Sequence, residues 1–252
     1  MRIAEWASGL ADLLLPPGCV VCGLWMPGRG HAGMVCDACR SRLRPPPWPR
    51  CPRCHLPVGT GRRAQPSCLE CREWPGALAR ARYAFVLRAP ADRLVHALKY
   101  DGWAELAHEM GRAMARAWRP EETPGDSSLV VPVPTTRARA RSRGYNQAAL
   151  LARSFAEARD LPLVHALERT GGSPTQVALH PSERRANVRG VFATRPAHRA
   201  RLRGAHVVLI DDVLTTGATA AAAASELCGA GADQVALVAF ARALPHPDGG
   251  GP

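Results

Sequence analysis

Val207-Val208-Leu209-Ile210-Asp211-Asp212-Val213-Leu214-Thr215-Thr216-Gly217-Ala218-Thr219 is the stretch on which the fold turns. Val207 to Ile210 form a short, wholly apolar run, the pattern of a parallel strand buried on both faces. Two adjacent carboxylates, Asp211 and Asp212, follow at its carboxyl end. The small residues Thr215 to Thr219 then turn the chain into an alanine-rich helix. Each part suits a sugar phosphate. A phosphate on the turn meets unpaired N–H groups and the positive end of a helix dipole. The Thr hydroxyls add donors, Gly217 admits close backbone approach, and the carboxylates stand where ribose hydroxyls would lie. Other phosphate loops do not fit: the chain has no Gly-x-x-x-x-Gly-Lys-Thr/Ser and no well-placed Gly-x-Gly-x-x-Gly.

Outward from that stretch, strands alternate with helices. Strands are predicted over 82–87, 129–134, 163–167, 190–194, 206–210 and 234–240. Helices are predicted over 91–100, 103–118, 147–158 and 218–230. The longest carries Trp103, Leu106, Met110, Met114 and Trp118 at helical spacing, a core face. This alternation argues for an α/β fold with a parallel sheet and helices on both faces. Ligands of such sheets bind beyond the carboxyl ends of the strands, where Asp211, the 215–219 turn and Pro134 fall.

The front of the chain is different. Eight of the nine cysteines form four Cys-x-x-Cys pairs, Cys19/Cys22, Cys36/Cys39, Cys51/Cys54 and Cys68/Cys71, and adding 32 to the first four positions gives the second four. Two such pairs make a closed tetrahedral site of four thiolates, the arrangement of structural Zn²⁺. A disulfide framework is the rival, but Cys-x-x-Cys spacing suits metal better and no secretory leader is legible. Sequential pairing gives two zinc ribbons; a cross-braced pairing would join the first and third pairs. The exact repeat favours the sequential form. His31 and His55 lie nearby without a necessary role, and Cys228 reads as a core residue. Pro45-Pro46-Pro47 is a stiff spacer between ribbons, and Trp74-Pro75-Gly76 reads as a hinge. The expected organisation is an N-terminal helix and double ribbon over 1–76, an α/β domain over 77–243 and a disordered tail over 244–252. Met1 to Leu15 has a short apolar face, read as an amphipathic helix packed on the domain behind it.

The chain of 252 residues carries a formal charge of +12, which favours anionic partners without choosing among them. No run of about 18 apolar residues occurs, so no membrane span is expected. Lys99 is the only lysine. In a chain that otherwise uses arginine, a retained lysine points to a compact ammonium on an anion. Pro134-Thr135-Thr136-Arg137 leads through Arg139, Arg141 and Arg143 to Gly144-Tyr145-Asn146-Gln147. Four arginines at alternate positions cannot share one helical face, so an extended, mobile loop is expected there. In Gln176 to Asn187, Ser182 would cap a short helix presenting Arg184, Arg185 and Asn187.

In combination these motifs resemble the ComF/GntX-like family of competence-associated, phosphoribosyltransferase-like bacterial proteins. The residues that carry it are the paired cysteines, His96-x-Leu98-Lys99-Tyr100, Val131-Pro132-Val133-Pro134, Arg143 to Gln147, Gln176 with Glu183-Arg184-Arg185-x-Asn187, and Asp211 to Thr219. The resemblance implies a type I phosphoribosyltransferase-like domain behind a double zinc ribbon. It also implies a cytoplasmic location, a link in some bacteria to uptake of single-stranded DNA, and phosphoribosyl pyrophosphate (PRPP) with Mg²⁺ as ligand. On that reading Asp211 and Asp212 hold ribose hydroxyls or metal-bound water, and Thr215, Thr216, Gly217, Ala218 and Thr219 hold the 5′-phosphate. Lys99, Thr135, Arg137 and Arg143 receive pyrophosphate, and Asp211, Asp212 and Lys99 are the catalytic candidates. The acceptor is not implied. Two rivals stand beside a PRPP-dependent transferase: a non-catalytic PRPP-pocket protein that binds single-stranded DNA or uptake proteins, and a zinc-scaffolded adaptor without a ligand. The chain's few aromatic residues weigh against base stacking.

Overall fold

The computed structural model describes residues 18–26, 33–59, 67–119, 128–170 and 190–244. The expected helix over Met1 to Leu15, His31, the Gln176 to Asn187 segment and all but the first residue of the tail lie outside them.

The described chain runs α1 (Asp37–Ser41), β1 (Leu78–Val86), α2 (Ala91–Tyr100), α3 (Leu106–Ala117), β2 (Ser128–Pro132), α4 (Arg137–Arg143), α5 (Gln147–Arg159), β3 (Leu167–Arg169) and β4 (Phe192–Thr194). A 3-10 turn (Pro196–His198), α6 (Arg199–Leu202), β5 (His206–Leu214), α7 (Ala218–Gly229) and β6 (Gln234–Arg242) follow. Four strands form one parallel sheet in the order β1-β6-β5-β2. A single parallel bridge from Val130 to Leu163 extends the β2 edge.

Alternation along β5 divides the core. Val208 and Ile210 face a layer made by α2, α3 and α5. Val207 and Leu209 face α7, whose Ala220, Ala223, Ala224 and Leu227 are buried against them. A strand covered on both faces must be apolar at every position, as Val207 to Ile210 are. Alanines let α7 lie close to the sheet. Gly111 does the same between α3 and α5: a Cβ there would stand 2.6 Å from Ser154 Cβ.

The two ribbons sit on opposite faces. Cys19, Cys36 and Cys39 pack with the α2/α3 layer, and Cys51, Cys54, Cys71 and Trp74 pack with the α7 layer.

Several expectations are corrected. The 135–143 stretch is not an extended loop, because residues 137–143 are helical. Thr136 caps that helix, its Oγ1 accepting from the Arg139 N–H at 3.2 Å, and Gly144 ends it at φ 79°. The arginines do not share a face; two point each way. The helix predicted over 103–118 starts at Leu106, leaving Trp103 outside it and 44% exposed. Strand 163–167 is reduced to the Leu163 bridge, and β3 pairs antiparallel with β4 in a separate two-stranded sheet. Trp74-Pro75-Gly76 is no free hinge: Arg53 donates to the carbonyls of Trp74 and Pro75. Finally, β5 continues four residues past Ile210, because β6 keeps pairing with it as far as Leu214 and Arg242.

Candidate functional site

The cleft arises from a mismatch in strand length. β2 ends at Pro132, opposite Ile210, and the Val133 N–H makes the last bond across, to the Ile210 carbonyl at 2.9 Å. Proline cannot donate to the ladder, and the chain leaves the sheet at Pro134. Beyond that point, among the described residues, β5 is flanked only by β6, so Asp211 and Asp212 lie past the end of β2 at the carboxyl ends of the strands.

Asp212 is 4% exposed. Its Oδ1 lies 2.8 Å from Lys99 Nζ, in the last turn of α2. Its Oδ2 is buried and has no hydrogen-bond partner among the described residues. A buried carboxylate oxygen without a donor is costly. Asp211 is partly buried, and its Oδ1 accepts from the Asp212 N–H at 2.9 Å. Burial, then the neighbouring Asp212 charge, raise the Asp211 pKa to about 7, against the pull of Lys99 and Arg169.

The Arg143 to Gln147 motif fixes the walls. Tyr145 Oη donates to the Leu98 carbonyl at 2.7 Å, and Asn146 Nδ2 donates to the Val133 carbonyl at 3.1 Å. Asn146 also caps α5 through the Ala148 N–H at 3.2 Å. α4 is thereby tied both to the Lys99 turn and to the end of β2. Arg143 donates to Gln147 Oε1 at 2.9 Å and lies 4.9 Å from the Tyr100 ring centre. Residues two apart on a helix fall on opposite sides, residues four apart on the same side. A cavity of about 320 Å³ is accordingly lined by Lys99, Tyr100, Gly102, Arg139, Ser142, Arg143 and Tyr145, but not by Arg137 or Arg141.

The turn closes the other end. Thr215, Thr216 and Thr219 are exposed, Ala218 is partly buried, and Gly217 is buried at φ 85°, opening α7. The close neighbour of Gly217 is Trp74, whose ring atoms stand 2.6 Å from where a Cβ would be. Trp74 Nε1 donates to the Thr216 carbonyl at 3.1 Å.

Lys99 and Asp212 are thus in contact, with Asp211 beside them and Arg143 in the adjoining cavity. Thr135 is partly buried where β2 ends, Thr136 is engaged as a cap, and Arg137 points away into solvent. Arg169 on β3 is a residue the sequence reading passed over. Its charge acts on Asp211 and is opposed by that of Arg139, and its Nε is buried without a partner among the described residues. Nothing in a lone arginine after a short strand marks it.

The eight paired cysteines form two groups, Cys19/Cys22/Cys36/Cys39 and Cys51/Cys54/Cys68/Cys71, with each group's sulfurs within 4.8 Å of one another. Pairing is sequential. A tetrahedral Zn²⁺ with bonds of about 2.3 Å holds sulfurs about 3.8 Å apart. The Sγ separations Cys22–Cys36 (3.8 Å), Cys51–Cys71 (3.7 Å), Cys54–Cys68 (3.5 Å) and Cys68–Cys71 (3.8 Å) fit that geometry. All eight thiols are free of disulfides, and the groups fit two structural zinc ions.

The architecture is a four-stranded parallel sheet with helices on both faces, preceded by two four-cysteine groups. Residues 10–73 match the double zinc ribbon domain family. The chain is 29% identical to the DNA utilization protein YhgH of Escherichia coli K12, over 92% of this chain and all of that one. It is 25% identical to competence protein F of Haemophilus influenzae, over 83% and 90% of the two chains. To competence protein ComFC of Bacillus subtilis it is 28% identical, over 73% and 74%. Among solved structures, glutamine PRPP amidotransferase from B. subtilis overlays with a TM-score of 0.36 at 20% identity, over 55% of this chain and 26% of that one. No helix among the described residues is long and apolar enough to cross a membrane.

Proposed function

We propose that this protein binds PRPP with Mg²⁺ in the cleft at the ends of β2 and β5 and transfers its phosphoribosyl group, releasing pyrophosphate. The observation that carries this reading is Asp212, with one oxygen paired to Lys99, itself a wall of the cationic cavity, and the other oxygen buried without a partner among the described residues. The unpaired oxygen is placed to accept from a ribose hydroxyl or a metal-bound water. Mg²⁺, when bound, supplies charge neutralisation of the pyrophosphate and keeps most of its water shell. The exposed Thr hydroxyls and first-turn N–H groups of α7 hold the 5′-phosphate. Lys99, Arg139 and Arg143 receive the pyrophosphate as charge builds on it. Arg169 adds a fourth cation. Asp211, whose pKa lies near neutrality, suits taking a proton from an acceptor, whereas Asp212 suits holding the sugar. The cytoplasm and a two-unit organisation, ribbons over 1–76 and transferase domain over 77–243, complete this reading.

Water can stand in for the unknown acceptor. Phosphorus NMR of PRPP incubated with the two-zinc protein should show slow conversion to ribose 5-phosphate and pyrophosphate, lost in Asp212→Asn. Equal rates in wild type and variant would contradict transfer.

A second reading, a PRPP-pocket protein that handles single-stranded DNA, is favoured by one surface. Trp48 is 70% exposed, with the Arg50 guanidinium 4.5 Å from its ring centre. A groove of about 330 Å³ beside it is lined by Arg116 and Arg119 as well. Stacking ring and cations are what a single strand needs, so placement offsets the low aromatic count. Binding whose logarithm falls linearly with that of salt, weakened by Trp48→Ala, is expected; salt-independent binding would contradict it.

A further inference from the structure

The second ribbon touches the phosphate turn through an unbroken series of contacts. Arg53 lies inside the knuckle that carries Cys51 and Cys54. Its guanidinium donates to four carbonyls, those of Cys71 at 2.8 Å, Trp74 at 3.2 Å, Pro75 at 3.0 Å and Leu78 at 2.9 Å. These carbonyls form the strap between the last cysteine and β1. The strap aims the buried Trp74 indole at the turn, where it fills the space a Gly217 Cβ would need and bonds the Thr216 carbonyl. The knuckle itself is anchored to the sheet. Arg242 in β6 donates to the Cys54 carbonyl at 2.6 Å, and Tyr83 Oη in β1 donates to the His55 carbonyl at 2.9 Å.

The first ribbon is connected elsewhere. Its contacts run to α2 and α3, through Arg93 to the Val21 carbonyl at 3.1 Å and through Arg40 to Glu109.

We propose that the second zinc ribbon positions the phosphate-binding turn, with Arg53 and Trp74 as the positioning residues. Zinc in the Cys51/Cys54/Cys68/Cys71 site closes the knuckle, the knuckle places Arg53, Arg53 fixes the strap, and Trp74 holds Thr216 and Gly217. Neither residue touches the bound sugar phosphate. The two ribbons therefore differ in role despite their repeated sequence: only the second sets the shape of the turn. That the turn serves phosphate rests on the function proposed above; the mechanical coupling does not.

The test uses full-length protein carrying two zincs and reads the turn directly. The reporters are nitrogen relaxation of Thr216, Gly217 and Ala218, and exchange protection of the Ala221 N–H, which donates to the Gly217 carbonyl at 2.8 Å. In Trp74→Leu and Arg53→Ala, Ala221 exchange should rise by about tenfold or more, with α3 amides unchanged. Trp74→Phe, which keeps a ring but loses the indole N–H, should recover most of the protection. Glu109→Ala, which loosens the first ribbon, should leave the turn alone. PRPP affinity should fall in step with the loss of protection. An unchanged turn in folded, two-zinc Trp74→Leu would overturn the proposal, as would a rise spread equally over α3 and β6. If the turn responds but wild type binds no PRPP, the coupling stands and the phosphate reading falls.

Discussion

Lys99 Nζ lies 2.8 Å from Asp212 Oδ1, joining the last turn of α2 to the part of β5 that outruns β2. The pair is made by elements on either side of the cleft, and both partners are largely shielded from water. Removing one partner leaves the other charged and unsolvated. Lys99→Met should therefore cost about 3 kcal/mol in chemical denaturation, at the low end for an orphaned buried charge. Lys99→Met/Asp212→Leu should recover much of that loss. Additive losses in the double variant would show that the two do not interact.

Asp211 titrates near pH 7 rather than in the usual carboxylate range, because of burial first and the Asp212 charge second. A raised carboxyl pKa means the folded state holds a proton that the unfolded chain has lost. Stability from this group is present below the unfolded pKa and falls as pH rises from about 4 through about 7. Carboxyl carbon NMR should show a midpoint near 7 for Asp211, moving down in Asp212→Asn. A midpoint near 4 in the wild type would refute the assignment.

Gly217→Ala should destabilise more than Gly144→Ala, although both glycines have positive φ, 85° and 79°. Gly144 has open space where a Cβ would go, so only backbone strain of about 1–2 kcal/mol applies. At Gly217 the Trp74 ring is also in the way, adding about 1–3 kcal/mol of overpacking. Denaturation midpoints of the two variants decide it; equal losses would place Trp74 elsewhere.

Arginines on the two sides of α4 should differ in function. Inorganic pyrophosphate should bind about tenfold more weakly to Arg139→Ala or Arg143→Ala, the loss of one charged hydrogen bond. Arg137→Ala should change it by less than about twofold, as expected for a solvated surface charge. Similar losses for all three would point to a diffuse basic surface.

Native mass spectrometry should find two zinc ions per chain, one in each cysteine group. Cys71→Ser should retain one, held by the first group. Loss of both from that single change would mean that the sites do not fold independently.

Much of this was legible from local pattern. The apolar run before Asp211 marked the central strand, and the repeat of 32 residues marked two metal sites. The helix at 137–143 is missed when four arginines are expected to share one face, whereas an exposed helix can divide them between two. Its boundaries were nonetheless written in the sequence, in Thr136 before it and Gly144 after it, and those end signals outweigh an exposed charge pattern. Arg169 and Trp74 could not be read locally. Arg169 reaches Asp211 only through the placement of a separate two-stranded sheet. Trp74 finds its partner Thr216 across 142 residues, and a tryptophan before Pro-Gly resembles a hinge until that partner is known.

Calorimetric titration of PRPP with Mg²⁺ into the two-zinc protein tests the binding cleft most directly, with Asp211→Asn/Asp212→Asn as the control. Binding in the micromolar range is expected for the wild type, lost in the double variant while its fold and zinc content persist. No binding to folded, zinc-loaded wild type, or equal binding by the double variant, would contradict a PRPP site at the ends of β2 and β5.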